Sequence, residues 1–442
     1  MSTNAPCHAV AIVGGACAGS TTADILAQHG CHVVVFDQNQ RPYGKIEDGL
    51  PRWHDKQRVQ EYRKIDERLS RPNVSFVPST KLGKDLDFVD LATNWGFSAV
   101  VLANGAWRDR PLEVPNASDW VGKGLLYQNP FIQWFNHKEE KAYNGPRFEV
   151  QDSAICVGGG LASLDVVKVM QLELYQRALA RRGITVDAVE MEHEGIPKIC
   201  KNHGIDDPAT LGVKNATLMY RRRIEDMPLA AAPKGANEKQ LAKVEEVRKK
   251  ILSKSQQNFL FEVRAQTVAK ELIIEGGRVR GLVVMETKVS GKDAVPVPGS
   301  EKQLRTDLVV SSIGSIPEPI GGIQMKGTFY AFKDWDTGEY GPLPGVYATG
   351  NVVTGQGNIK VSADHGKQVA AHLVESVLAP MNVGEQAGAA AAAAVADGLQ
   401  RKAPLAPAAF GKVMDRVKAR QKSVGYDDYP SWIKRVTPAD LA

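Results

Sequence analysis

The stretch Val10–Asp37 reads VAIVGGACAGSTTADILAQHGCHVVVFD, and its pattern sets the fold class of the chain around it. Val10–Val13 is a short apolar run of the kind that forms a strand buried on both faces. Gly14-Gly15-Ala16-Cys17-Ala18-Gly19 follows it. Apolar residues then recur at helical spacing over Thr21–His29, Gly30 stops that helix, and His32–Phe36 makes a second apolar strand ending in Asp37. Strand, glycine turn, helix, strand and acid in this order make a dinucleotide-binding βαβ unit. Gly14 permits the tight turn, a small residue at Ala16 lets the backbone approach a pyrophosphate, and Gly19 lets the helix lie close on the strand. The helix N-terminus turns its unpaired N–H groups and positive dipole end toward the phosphates. Asp37 stands where a carboxylate accepts hydrogen bonds from the adenosine ribose. The middle glycine of the usual pattern is Ala16 here.

The pattern recurs. A strand over Ser153–Val157 leads into AICVGGGLASLDVVKVM, where Gly158-Gly159-Gly160 and Ser163 repeat the relation of Gly14, Ala16 and Gly19 to strand and helix. Ala216–Tyr220 is the following apolar strand, and it ends in Arg221-Arg222-Arg223. Two such units imply two dinucleotides. An acid after the second strand suits a free ribose 2′-hydroxyl, whereas arginines suit a 2′-phosphate. Arg221 and Arg222 are therefore candidates for holding NADP; the alternative is a solvated strand end.

Composition narrows the function classes. The chain has 442 residues, 43% hydrophobic and 24% charged, with a net charge of +5. That is an ordinary globular composition, long enough for two or three cores. The mild positive charge suits a phosphate-rich cofactor or an acidic protein partner, and no basic arm points to nucleic acid. The N-terminus lacks the pattern of a signal peptide, and no apolar run is long enough for a membrane span. The five cysteines show neither CxxC nor metal-ligand spacing, so no redox dithiol, iron–sulfur centre or metal site is expected. A reducing, cytoplasmic compartment is the expectation.

Between and beyond the two units, Asp55–Leu69 reads as a charged amphipathic helix, and Val74–Val77 and Ala99–Leu102 as strands. Ile184–Asn215 reads as a polar surface insertion. Glu238–Gln256 is a charged helix on which Arg248, Lys249, Lys250 and Lys254 form either a solvated face or a docking face. Gly276-Gly277 marks a hairpin. Gly345–Gly350 is a last strand, and Lys360–Leu378 a last helix whose N-terminus faces a ligand. Gly388–Ala396 is an alanine-rich spacer before a basic tail, Phe410–Ala442.

Several further motifs carry a resemblance. They are Pro42-Tyr43-Gly44 followed by Gly49 and His54, then Phe131-Ile132-Gln133-Trp134-Phe135-Asn136, then Gly158-Gly159-Gly160-Leu161-Ala162-Ser163-Leu164-Asp165. Tyr220-Arg221-Arg222 with Met227-Pro228, and Gly350 with Thr354-Gly355, complete the set. In order and spacing these resemble the adrenodoxin reductase (ferredoxin–NADP reductase) family of FAD flavoproteins and its relative, the glutamate synthase small subunit. The resemblance covers roughly Val10–Leu378. It implies two Rossmann-like α/β domains, with the NAD(P) domain inserted into a discontinuous FAD domain. On that pattern residues 1–103 and 341–380 form the FAD domain and 104–340 the NAD(P) domain. Residues 381–404 are the spacer and 405–442 the tail.

The resemblance also implies roles. FAD falls to Gly14, Ala16, Ala18, Gly19, Asp37, Gly44, Leu50, Gly105, Gly350, Asn351, Gly357, Asn358 and Ile359. NADP falls to Gly158, Gly160, Leu161, Ala162, Arg221 and Arg222. The family's proton-handling pair maps to His54 and Asp165. Departures are visible. Trp53 stands where the family has an acid, Asn104 replaces the Thr of its ATG, and Asn351 stands where many flavoproteins have Asp. The cysteine-rich iron–sulfur domain of the glutamate synthase subunit is missing. The function implied is transfer of electrons from NADPH through FAD to a separate one-electron acceptor such as a ferredoxin. The alternative is an electron-input flavoprotein subunit of a larger complex. Oligomeric state is left open by the sequence.

Overall fold

A strand with no polar position needs cover on both faces, and Ala9–Val13 is buried along its whole length. In the computed structural model, which describes residues 7–233, 235–291, 293–381 and 401–438, this strand lies at the centre of a five-stranded parallel sheet. The order is Val346–Ala348, Ala99–Leu102, Ala9–Val13, His32–Phe36, Val74–Val77. Alternation divides the side chains between two cores. Val10, Ile12, Val33 and Val35 pack with Leu26, Ile65, Leu69 and Val369. Ala9, Ala11, Val34 and Phe36 pack with Phe88, Tyr330, Tyr340 and Val417.

The chain forms two units. The first is Met1–Glu47, Asp55–Arg108 and Ser315–Ala442; the second is Asp48–His54 and Asp109–Gly314. The second unit has its own five-stranded parallel sheet, ordered Leu125–Tyr127, Val309–Ser311, Ile155–Val157, Thr217–Met219, Glu262–Arg264. The helix Leu161–Ala180 packs Val166, Val167, Met170 and Leu174 into that unit's core. An antiparallel sheet follows, in which Thr267–Glu275 and Arg278–Ser290 turn at Gly276-Gly277 and pair on with Lys302–Arg305.

Several expectations are corrected. The first helix begins at Cys17, four residues before the expected start, and ends at Gln28. Ala18, Gly19 and Ser20 are small enough to continue the glycine turn directly into helix. Residues 315–340 belong to the first unit, because Tyr330 and Phe332 fill the core that holds Ala9 and Phe36. Leu50 and His54 belong to the second unit, where Asn136 grips the intervening backbone: Arg52 N–H donates to its Oδ1 at 3.0 Å, and its Nδ2 donates to the Leu50 carbonyl at 3.0 Å. Within 184–215, the helices Ala188–Glu194 and Ile196–Asn202 bury Met191, Ile196, Ile199 and Cys200 in the second unit's core, so this segment is structural rather than a surface insertion.

The basic C-terminal segment is likewise no loose tail. Helices Pro407–Ser423 and Tyr429–Val436 bury Val413, Val417, Tyr429 and Trp432 in the first unit. Tyr429 Oη donates to Asp66 Oδ1 at 2.8 Å, and Trp432 Nε1 donates to the Gln40 carbonyl at 2.7 Å. The alanine-rich stretch Gly388–Ala396 lies outside the described residues. Among the described residues no helix is long and apolar enough to cross a membrane, and no group of His, Cys, Asp and Glu could hold a metal ion.

The C-terminal helices are therefore part of the first unit's core. Truncating a buried aromatic to alanine costs about 3–5 kcal/mol. Trp432→Ala is expected to lower the denaturation midpoint of the chain accordingly; an unchanged midpoint would mean that this segment is dispensable for stability.

Candidate functional site

In the first unit the candidate residues gather at the carboxyl ends of the parallel strands, where open α/β sheets bind ligands. Gly14, at φ +103°, closes the turn so tightly that a Cβ there would lie 2.4 Å from the Ala103 carbonyl oxygen. A Cβ at Gly19 would lie 1.8 Å from the Gly14 oxygen, so the helix can start at Cys17 only because position 19 has none. Ala16 replaces the middle glycine, and the partner loop supplies one instead: a Cβ at Gly44 would meet the Ala16 methyl at 2.9 Å. Asp37 is buried, and its carboxylate accepts Gly15 N–H at 2.7 Å and Asn39 N–H at 2.9 Å. Those bonds orient it at the end of its strand beside the glycine turn.

The closing segment reaches the same helix. A Cβ at Gly350 would touch Ala18 Cβ at 2.5 Å. The backbone at Gly350 is held by His365, a residue that the sequence did not single out. Gly350 N–H donates to His365 Nδ1 at 3.0 Å, so the proton sits on Nε2, which donates to the Trp335 carbonyl at 3.1 Å. Burial keeps the imidazole below its ordinary value of 6.5, outweighing the Trp335 carbonyl, which works the other way. Asn358 caps the helix Ile359–His372 by accepting Val361 N–H, so its side chain serves the helix end. Gly357 and Ile359 flank that cap, and beyond its chain neighbours no atom of the described residues lies within 4 Å of a Cβ built at Gly357. Gly105 follows the strand Ala99–Leu102.

Two buried acceptors lack a hydrogen-bond partner among the described residues. Asn104 Nδ2 donates to Tyr330 Oη, which itself donates to the Glu318 carbonyl. That chain fixes the amide orientation and leaves Asn104 Oδ1 buried without a partner among the described residues. Asn351 Oδ1 is in the same condition. The two residues follow adjacent strands, Ala99–Leu102 and Val346–Ala348. Buried acceptors with no partner are rare in folded proteins and suit a ligand that brings donors. Burial pushes the thiol of Cys17, at the first turn of the helix, up to about 12.

The second unit repeats the turn with different means. A Cβ at Gly158 would lie 2.3 Å from the Ser312 oxygen, and one at Gly159 2.2 Å from the Tyr220 ring. Ser163 occupies the place of Gly19, and its hydroxyl donates to the Ser312 carbonyl at 2.9 Å. Gly160 precedes the helix, and Leu161 and Ala162 in its first turn are exposed, so the N-terminus is open. Of the three arginines, Arg222 and Arg223 pair with Asp226. Hydrogen bonds from Arg223 first, and then Arg222, hold the Asp226 carboxyl down at about 2. Arg222 also donates to the Gly291 carbonyl at 3.1 Å. Arg221 is exposed and joins no ion pair among the described residues.

His54 and Asp165 come together in this unit, but not as a hydrogen-bonded pair. His54 Nε2 lies 3.9 Å from Asp165 Oδ1. Trp53 Nε1 donates to His54 Nε2 at 3.0 Å. Trp53 is buried against Phe135, with its carbonyl 3.2 Å from His193 Nε2. The sequence marks Trp53 only as a departure, and His193 only as one of several acids and histidines in the polar segment 184–215 whose spacing does not suit a metal.

Residues 12–58 match the family model described as an NAD(P)-binding Rossmann-like domain. The chain is 24% identical over 386 residues to the mitochondrial NADPH:adrenodoxin oxidoreductase of Arabidopsis thaliana, covering 78% of this chain and 77% of the relative. It is 27% identical over 319 residues to the NADPH-Fe(3+) oxidoreductase subunit beta of Geobacter sulfurreducens, covering 70% of this chain but only 37% of that protein. It is 21% identical over 390 residues to the NADPH glutamate synthase small chain of Escherichia coli, covering 82% of this chain and 67% of the relative. Among solved structures, Mycobacterium tuberculosis FprA in complex with NADPH superposes with a TM-score of 0.67 at 17% identity, covering 94% of this chain and 91% of that one. The two-unit α/β fold is thus shared with FprA, and the relatives are those that the motifs resemble.

His365 gives a pH signature. Its lowered value means that its contribution to stability is complete above the ordinary value of about 6.5 and is lost as pH falls through the folded-state value. The thermal midpoint of the wild type is expected to fall on acidification below that point, and the gap to His365→Asn to narrow as it does. A gap that stays constant with pH would mean that the imidazole is not held neutral.

Proposed function

We propose that this chain is an FAD-dependent NADPH oxidoreductase, with FAD on the first unit, NADPH on the second, and a separate one-electron acceptor such as a ferredoxin. The observation that carries the reading is the duplicated strand–glycine turn–helix unit with different ribose-end chemistry, Asp37 in one and Arg221 in the other. The relatives' names agree with it. The flavin, when bound, supplies the chemistry: it takes a hydride and releases electrons one at a time.

This chain's residues do the holding. The open turn at Gly14–Ala16 and the N-terminus of Cys17–Gln28 receive the FAD pyrophosphate, and Asp37 receives the adenosine ribose. Asn104 Oδ1 and Asn351 Oδ1, both without partners among the described residues, accept from donors that the flavin portion brings, and His365 keeps the Gly350 backbone in place for Asn351. In the second unit Gly158–Gly160 and the exposed first turn Leu161–Ala162 receive the NADPH pyrophosphate. Arg221 is the cation for the 2′-phosphate, and Arg222, fixed on Asp226, stands beside it. His54 and Asp165 handle the proton. The five scattered cysteines, without redox or metal spacing, support a reducing, cytoplasmic setting as part of the proposal.

The relatives named as a subunit beta and a small chain favour a second reading, in which the chain feeds electrons into a larger complex. The native size of the protein in its own cell separates the two: a complex much larger than this chain supports the subunit.

The purified protein is expected to be yellow and to bleach with NADPH. Gly14→Val, which sets a branched side chain against the Ala103 carbonyl, is expected to abolish flavin retention; full FAD in that variant would move the site elsewhere. A charge-assisted contact is worth roughly 1.5–3 kcal/mol. Arg221→Ala is accordingly expected to cut the preference for NADPH over NADH by about one to two decades in kcat/KM, and Arg222→Ala by less. Unchanged discrimination in both would remove the arginines from the cofactor site.

A further inference from the structure

Trp53 is the residue that the proposed mechanism does not use, although it touches His54 directly. Its indole is 3% exposed, and every part of it is engaged within the second unit. The ring lies against Phe135 at a centroid distance of 5.3 Å, and Lys168 Nζ sits 5.6 Å from the indole centroid. Lys168 is itself held by Glu192 at 2.8 Å. The Trp53 carbonyl accepts from His193 Nε2 at 3.2 Å. The indole N–H then has one direction left, and it points at His54 Nε2, 3.0 Å away.

An indole nitrogen can only donate. His54 Nε2 is therefore the acceptor in this contact, its lone pair is occupied, and the ring proton is on Nδ1. Asp165 Oδ1 lies 3.9 Å from the same nitrogen, beyond hydrogen-bond reach. A carboxylate in the place of Trp53 would do the opposite: it would accept, and so draw the proton to the nitrogen it faces.

We propose that Trp53 is a positioning residue that fixes the proton of His54 on Nδ1, so that any proton His54 passes on leaves from Nδ1 and not from the nitrogen that faces Asp165. The tautomer follows from contacts within the second unit alone. Its catalytic consequence rests on the reading of His54 as the proton-handling residue.

The test is nuclear magnetic resonance of the full-length protein, as purified and without NADPH, isotope-labelled at the imidazole rings of its 9 histidines. His54 is assigned by its loss in His54→Gln. The expected result is a protonated Nδ1 and an unprotonated Nε2 in the wild type. In Trp53→Phe, which keeps a ring against Phe135, the proton is expected to move to Nε2. Asp165→Asn is expected to leave the wild-type tautomer in place. A proton on Nε2 in the wild type overturns the proposal. So does an unchanged tautomer in Trp53→Phe, or a switch in Asp165→Asn, which would make Asp165 the determinant. The His137 signals report folding, because its ring is bonded on both sides, to Asp48 at 3.0 Å and Glu140 at 2.6 Å. If Trp53→Phe loses that signature, the wild-type tautomer and Asp165→Asn decide the matter. Failure of the cofactor reading shows separately, as a protein that purifies without colour.

Discussion

The contact between Gly19 and the Gly14 carbonyl is the constraint on which the first unit depends. A Cβ at position 19 would fall 1.8 Å from that oxygen, so the helix Cys17–Gln28 can begin within one turn of the strand only with glycine there. Beginning early aims its free N–H groups at the end of the sheet. It also brings Ala18 against Gly350 and, through the Gly366 backbone, against the helix Ile359–His372, where Thr22 donates to the Gly366 carbonyl at 3.1 Å. A run of small residues thus sets both the ligand-facing turn and the crossing of two helices.

The second unit meets the same constraint in another way. Ser163 stands where Gly19 stands, and its side chain is 1% exposed. The single hydroxyl proton donates to the Ser312 carbonyl at 2.9 Å, with Ser312 Oγ a second acceptor within its reach at 3.1 Å. Ser312 Oγ in turn donates to Gln128 Oε1 at 2.6 Å. Three strand ends or helix starts are tied by one short polar chain. Such a network specifies register where an apolar contact would only fill space.

What the sequence made legible was local. Continuous apolar runs mark the parallel strands, and the glycine turns mark the strand-to-helix junctions of both units, because those patterns are dictated by neighbours in the chain. The first helix starts earlier than its apolar spacing suggests because Gly19 and Ser20 have weaker helix propensity than Ala18, and packing overrides that preference. The segment 184–215 looked polar, yet Met191, Ile196, Ile199 and Cys200 sit at positions that two short helices turn inward. Short helices leave too few turns for a period to stand out. His365 and Trp53 were invisible as site residues for a different reason. Their roles come from partners far away in sequence: Trp335 and Gly350 for one, Phe135, Lys168 and His193 for the other.

The arginine cluster illustrates how far residue type alone misleads. Three adjacent cations after a strand look equivalent. Asp226, three or four residues on, lies within reach of Arg222 and Arg223 and takes both. The carboxylate fixes Arg222 beside the strand end, where it also bonds the Gly291 carbonyl. A guanidinium already fixed loses little freedom when an anion arrives, whereas an exposed one such as Arg221 still has that freedom to lose. The first is a cheap scaffold of positive potential, the second a contact whose strength is realised only when the phosphate is present. Discrimination between two cofactors that differ by one phosphate falls mainly to the contact that exists in only one of the complexes. The proposal of Arg221 for the 2′-phosphate rests on its place after the strand Thr217–Met219 together with its exposure and the absence of an ion pair among the described residues.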